Sequence, residues 1–94
     1  MSVGILTLEI EIPGSRSLKE KRSILAPLQS RLRKEFNISI SETDLRNSWN
    51  RSILTIAAVQ PPTIQVQSYL QSVITFIERE IHTIEIVDHS IYFI

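Results

Sequence analysis

The chain has 94 residues, the size of one small domain, and its ten basic residues balance its ten acidic ones, so the net charge is zero. This balance excludes a general attraction to nucleic acid or membranes, and the absence of cysteine excludes disulfides, thiolate metal sites and a cysteine nucleophile. No apolar run reaches the roughly 18 residues of a membrane span, and the N-terminus lacks the pattern of a signal peptide. We therefore expect one cytoplasmic domain over residues 1–94, with no membrane partner.

The first half of the chain predicts a strand followed by a helix. Residues 3–12 alternate between apolar and mixed side chains, which is typical of a strand. Ser17 and Glu20 form a capping-box pattern, so a helix should begin there. Pro27 interrupts the helix, but the apolar stripe keeps its phase across it. We predict one helix with a kink near residues 23–27 rather than two separate helices.

The second half predicts three strands, one helix and a turn-rich segment. In chain order they are a strand at 37–41, a turn-rich segment at 43–48, a strand at 50–60, a helix capped by Thr63 and a strand at about 84–94. The last strand changes the parity of its apolar residues, which a bulge of one residue near Asp88-His89 would explain. The order β-α-β-β-α-β predicts an α+β, ferredoxin-like βαββαβ domain, with a four-stranded antiparallel sheet and both helices on one face.

Basic residues are concentrated in the predicted first helix. Between positions 16 and 34, seven bases oppose only Glu20, for a net charge of +6, whereas in residues 52–94 one base opposes four acids, for −3. A helical wheel places five of the bases on the solvent side: Arg16, Lys19, Arg22, Arg33 and Lys34. This side is either a solvated helix face or a contact for the phosphates of RNA, since affinity for polyanions depends on local clusters.

Lys21 differs from these bases because the wheel places it within the apolar stripe. It either extends to water at the start of the helix or has a specific anionic partner. Together with Ser17 and the free N–H groups of the first turn, it also forms a candidate anion site. The predicted nucleic-acid or anion-binding residues are therefore Arg16, Ser17, Lys19, Lys21, Arg22, Arg33 and Lys34.

The sheet face away from the helices should be apolar along the first and third strands. Its expected residues are Val3, Ile5, Thr7, Ile53, Thr55, Ala57 and Val59. Such a patch is unusual on a monomer, so we predict an interface with a second copy or another protein, unless a segment of the chain folds over it. No aromatic residue stands at the centre of these strands, which argues against base stacking there and against readout of a DNA sequence.

The remaining candidates for chemistry are weaker. Trp49 beside Arg51 is more typical of a local stack or an edge cover than of a binding site. His82 and His89 do not have the spacing of metal ligands, and the serines have no adjacent base. We therefore expect no catalytic residue, metal or cofactor. Besides RNA binding, a dimeric interaction or small-ligand module stays open, as does an enzyme built on the anion site.

Several segments are similar to the YlxP-like family of small bacterial proteins, a domain of unknown function. The most specific is the run Ile12–Arg22 (IPGSRSLKEKR), and weaker similarity lies at Val3–Leu6, Phe36–Ile40, Trp49–Arg51 and Ala57–Val59. The resemblance implies a ferredoxin-like fold with no established enzymatic activity. It also implies a setting among genes for translation and ribosome maturation, which favours rRNA or a ribosomal surface as partner. Pro27 and the few acidic residues before Trp49 depart from the family pattern.

Overall fold

The architecture is one sheet covered on one face by two helices. The computed structural model describes residues 2–94, and of Thr63 only the backbone. Its elements are β1 (Ser2–Glu11), α1 (Leu18–Glu35), β2 (Ser39–Asp44), β3 (Arg51–Gln60), α2 (Thr63–Glu80) and β4 (Glu85–Phe93). The strands pair antiparallel in the order β2-β3-β1-β4. The predicted α+β, ferredoxin-like βαββαβ layout is confirmed.

The centre of the sheet is the β1–β3 pair, whose register runs from Ser2↔Gln60 to Glu11↔Arg51. Even-numbered residues of both strands face the helices and form the core with the apolar stripes of α1 and α2. The buried residues of these stripes are Leu25, Leu28 and Leu32 in α1, and Val66, Leu70, Val73, Ile74 and Ile77 in α2. Odd-numbered residues of β1 and β3 lie on the opposite face of the sheet, which we call the open face.

The start of α1 is capped as the sequence predicts. Ser17 is the N-cap, and its Oγ accepts the N–H of Glu20 at 3.1 Å. The Glu20 carboxylate accepts the N–H of Arg16 at 2.6 Å. In a standard capping box it would accept the N–H of the N-cap itself, so here this bond is displaced by one residue. The helix continues through Pro27 as a single element, which confirms one helix rather than two, while the kink stays a prediction.

The second strand and the start of the second helix differ from the predictions. β2 runs from residue 39 to 44, so it begins two residues later than predicted, and the first two residues of the expected turn segment belong to a strand. Aspartate is disfavoured in strands, but Asp44 pairs with Ile53, and Thr43 is the extra residue at which the register with β3 shifts. The N-cap of α2 is Pro62 rather than Thr63, whose side chain lies outside the described residues.

The predicted bulge in the last strand is confirmed and lies at Val87. Glu9 pairs with Asp88 whereas Ile10 pairs with Ile86, so Val87 is the extra residue. Because of this insertion, Ile86 and Ile91 both pack against the core although five positions separate them.

Candidate nucleic-acid interface

The first turn of α1 and the loop between β2 and β3 pack together at one end of the domain. We call residues 15–22 and 45–50 the α1 corner. Ser15 is buried, and its hydroxyl lies within hydrogen-bond distance of the carbonyl oxygens of Trp49 and Ser17. The N–H of Ile12 donates to the carbonyl of Asn50 at 2.8 Å. Two segments that lie far apart in the sequence are thereby joined into one surface.

Lys21 is the centre of this corner and is 2% exposed. Its Nζ lies 2.7 Å from a carboxylate oxygen of Glu42, which is the specific anionic partner that the wheel left open. It also donates to the carbonyl oxygens of Leu45, Ser48 and Arg51, at 2.8, 2.6 and 2.9 Å. An ammonium has three N–H groups, so these four acceptors occupy it fully. Lys21 therefore holds the loop, and an external anion finds no free donor on it.

The loop that Lys21 holds has a strained backbone. Leu45 has φ 56°, the left-handed region that a residue with a branched side chain adopts at a cost. Its N–H donates to the Asp44 carboxylate at 2.7 Å, and its carbonyl also accepts the N–H of Ser48 at 3.0 Å. The same Glu42 carboxylate that pairs with Lys21 accepts the Ser52 hydroxyl at 2.7 Å. The loop conformation thus depends on a polar network anchored in the helix.

Around this anchor lies a set of exposed cations. The five predicted solvent-side bases are all exposed, and Arg46 of the loop joins them. We call Arg16, Lys19, Arg22, Arg33, Lys34 and Arg46 the basic set. Within residues 2–94, none of their side-chain nitrogen atoms has a carboxylate oxygen within 4.0 Å. Arg33 makes one internal hydrogen bond, donating to the carbonyl of Ile40 at 3.1 Å. The positive charges of the basic set therefore have no ion-pair partner among the described residues.

The sequence does not identify Arg46 as a candidate binding residue, because Arg46 lies in a polar loop without periodicity. The fold places it beside α1, where Arg22 and Gln29 of the helix and Arg46 and Asn47 of the loop line a groove of about 370 Å³. Glu42, which is paired with Lys21, also lines this groove. Ser17, the other predicted anion-binding residue, is half-buried at the N-cap. The groove brings one cation from each side of the α1 corner to a shared open space.

Other bases are paired and do not belong to the basic set. Arg31 lies over the Phe76 ring at 5.1 Å and 4.0 Å from the Glu80 carboxylate. Arg79 lies 3.4 Å from the same carboxylate group. Arg51 pairs with Glu9 on the open face at 2.7 Å. The arginine expected to stack with Trp49 is thus engaged elsewhere. Trp49 is 54% exposed, and its ring makes no aromatic or cation–π contact with the described residues.

The open face carries the residues expected there, because the β1–β3 register pairs Val3 with Val59 and Ile5 with Ala57. Its remaining predicted residues, Thr7, Ile53 and Thr55, share the odd parity. Both helices lie on the other face, and the N–H of Ile94 continues the ladder by donating to the Val3 carbonyl at 2.9 Å. In residues 2–94 the chain end therefore does not fold over this face.

The described part of the chain holds no group of three or more His, Asp or Glu side chains arranged for a metal ion. None of its helices combines the length and apolar content needed to cross a membrane. His82 and His89 are both exposed, and Glu9 is paired with Arg51. The cationic α1 corner is therefore the feature of these residues that points most directly to a ligand.

These features define a small ferredoxin-like α+β domain with a cationic helix edge and an uncovered sheet face. The chain belongs to the family described as "Protein of unknown function (DUF503)", which it matches over residues 3–91. It is 38% identical over 76 residues to the uncharacterized protein YlxP of Bacillus subtilis strain 168, a match that covers 81% of this chain and 83% of that protein. The YlxP-like resemblance is thereby confirmed.

Proposed function

We propose that this domain is a non-enzymatic, cytoplasmic binding protein that contacts structured RNA, such as rRNA on a ribosomal surface, through the basic set. The supporting observation is six exposed cations without a carboxylate partner, along one helix and its neighbouring loop, in a chain of zero net charge. Such cations release condensed counterions when they neutralise phosphates, and this release supplies most of the affinity for a nucleic-acid backbone. The translation-related setting that the family resemblance implies favours the same partner.

The spacing of the basic set suits a backbone rather than a single small anion. α1 has 18 residues, so its axis is about 27 Å long. Three members of the set lie at its start and two at its end, with Arg46 across the groove beside the first turns. A row of this length meets several phosphates of one strand, whereas a free phosphate or carboxylate would need donors that converge on one point. Lys21 has no part in this interaction.

Replacing Arg22 and Arg46 together by alanine is expected to weaken RNA binding and flatten its dependence on salt. Removing one phosphate-binding cation lowers the slope of log affinity against log salt by about 1, so the slope of the double variant should be lower by about 2. The measurement is fluorescence anisotropy of a labelled rRNA hairpin titrated at several salt concentrations.

The matched control is Arg31→Ala/Arg79→Ala, which removes the same formal charge from residues that already lie against Glu80. It should keep most of the wild-type slope. Equal slopes for wild type and Arg22→Ala/Arg46→Ala would contradict the proposal, as would an equal loss of slope in both double variants.

A second function is favoured by the distribution of polarity on the open face. One end of it is apolar and exposed, with Val59 at 57%, Tyr92 at 53% and Ile94 at 80%. The other end carries Glu9 paired with Arg51. A twofold axis through the apolar end would bury the apolar residues of one copy against the same residues of the second copy. The charged ends of both copies would stay in water. We therefore propose a homodimer through this face, which is compatible with RNA binding along α1.

Val59→Glu is expected to shift the protein from dimer to monomer in sedimentation equilibrium, because it places a charge at the centre of that contact. Ile64→Glu is the control, since Ile64 is 69% exposed on α2, on the other side of the sheet. A wild-type protein that stays monomeric at high concentration, or a dimer that Val59→Glu does not weaken, would refute the dimer.

A further inference from the structure

We infer that Trp49 is the stacking platform for an unpaired base of the RNA whose phosphates contact the basic set. This inference rests on the proposed function and adds the class of nucleotide that the α1 corner accepts. It assigns an aromatic contact to the loop rather than to the open face, where ferredoxin-like RNA readers place theirs.

The first support is the exposure of the indole. Trp49 is the only tryptophan of the chain and is 54% exposed. The ring contacts of the described residues lie elsewhere, where Phe36 meets Tyr69 and Phe76. A tryptophan usually gains stability by burying its ring, so an indole left in water is free for an external flat partner.

The second support is the fixed backbone on which the indole stands. Three consecutive carbonyl groups are held: Ser48 by the Lys21 ammonium at 2.6 Å, Trp49 by the Ser15 hydroxyl, and Asn50 by the N–H of Ile12 at 2.8 Å. The loop is therefore ordered before a ligand arrives. Binding to a loop whose backbone is already ordered loses less conformational entropy than binding to a mobile one, which favours a contribution of Trp49 to affinity.

The third support is the chemistry around the ring. Arg16 follows Ser15, whose hydroxyl contacts the Trp49 carbonyl, and Arg46 belongs to the same loop as Trp49. Both arginines are exposed, and neither guanidinium has a carboxylate partner in residues 2–94. A flat apolar surface and cations on the same corner of the domain match a nucleotide, which joins a flat base to a phosphate on each side. A purely apolar ligand would leave the arginines unused.

The open face lacks such a platform. The central positions of β1 and β3 on this face are occupied by Ile5, Thr7, Thr55 and Ala57, none of which is aromatic. Tyr92 is aromatic but lies on the edge strand β4, paired with Ile5. Among the described residues, a base therefore finds both an aromatic ring and phosphate-binding cations at the α1 corner. Stacking is tolerant of sequence because every base has a π-face, so we infer a preference for unpaired nucleotides rather than for a sequence.

The test compares two RNA hairpins that differ only by a short single-stranded 3′ tail. Wild-type protein should bind the tailed hairpin more tightly, and Trp49→Ala should weaken that binding by about tenfold while leaving the blunt hairpin unchanged. Trp49→Phe keeps a π-face and should retain most of the affinity for the tail. Because Trp49 is the only indole, its emission should be quenched by the tailed hairpin and left unchanged by inorganic polyphosphate.

Each outcome bears on one proposal or on both. A tailed hairpin that binds wild type and Trp49→Ala equally, with no quenching, would overturn the stacking inference while the salt dependence of Arg22→Ala/Arg46→Ala still supports RNA binding. Failure of wild type to bind either hairpin at low salt would overturn both. Loss of affinity for both hairpins in Trp49→Ala, with unchanged far-ultraviolet circular dichroism, would count against a preference for unpaired bases.

Discussion

Replacement of Lys21 by methionine is expected to lower the free energy of unfolding by about 3–5 kcal/mol, the range measured when one member of a buried ion pair is removed. Methionine fills a similar volume but donates no hydrogen bond. The carbonyl oxygens of Leu45, Ser48 and Arg51 would lose their shared donor, and Glu42 would keep a charge that is only 18% exposed. For a domain of this size, that loss is a large part of the total stability.

The measurement is urea unfolding followed by circular dichroism, with Lys19→Met as the matched control. Lys19 lies two residues away, is exposed and has no carboxylate partner in the described chain, so its replacement should change stability by no more than about 0.5 kcal/mol. Glu42→Gln tests the other partner without emptying the cluster, and should cost less because Lys21 keeps its three carbonyl partners. Similar stabilities for Lys21→Met and Lys19→Met would show that the ammonium does not hold the loop.

Lys21 illustrates which part of the site can be predicted from the sequence and which part cannot. Helical periodicity places a lysine within an apolar stripe, which is enough to predict either exposure at the helix end or an anionic partner. The partner, Glu42, lies 21 residues later on the edge strand, and the three carbonyl groups belong to a loop without periodicity and to the start of β3. Only the packing of α1 beside β2 brings them together, and no local pattern encodes that distance.

The strands show the same contrast between features that a local side-chain pattern predicts and features that depend on contacts between distant segments. Alternation in β1 and β3 predicts both faces of the central sheet because one face is buried and the hydrophobic pattern fixes the register. The parity change in the last strand predicts a bulge, which lies at Val87. The predicted β2 ends three residues too early because the second half of this strand, Glu42–Asp44, is polar. An edge strand is held by main-chain hydrogen bonds to its neighbour, and these leave little trace in side-chain composition.

The signature run Ile12–Arg22 contains both residues that stabilise the fold and exposed cations of the proposed binding surface. Ser15, Ser17 and Lys21 turn inward, where they join the loop, cap the helix and fill the polar cluster. Arg16, Lys19 and Arg22 turn outward and belong to the basic set. A structural role therefore accounts for the inward residues and leaves the three outward cations of the signature unexplained by folding. Variants of the inward residues should change stability, and variants of the outward ones should change binding.

Replacement of Gly4 by alanine is expected to destabilise the domain by about 3 kcal/mol, the upper end of the usual cost of overpacking a core. A Cβ at this position would lie 2.2 Å from Val66 Cγ1 and 2.8 Å from Leu70 Cδ1, closer than Cβ atoms approach other groups. Both side chains are fully buried on α2, so the clash cannot be relieved by a move into solvent. Val66 is also β-branched, which leaves it one strongly preferred rotamer in a helix.

Gly14→Ala is the matched control, because a Cβ there meets no atom within 4 Å and its backbone lies outside the positive-φ region. It should be neutral or stabilising by up to about 1 kcal/mol through the unfolded state. Val66→Ala removes the atom that clashes most, so the cost of Gly4→Ala in urea unfolding should be clearly smaller in the Val66→Ala background than in wild type. Equal costs in both backgrounds would mean that the close approach of β1 to α2 at Gly4 does not determine how the second helix packs on the sheet.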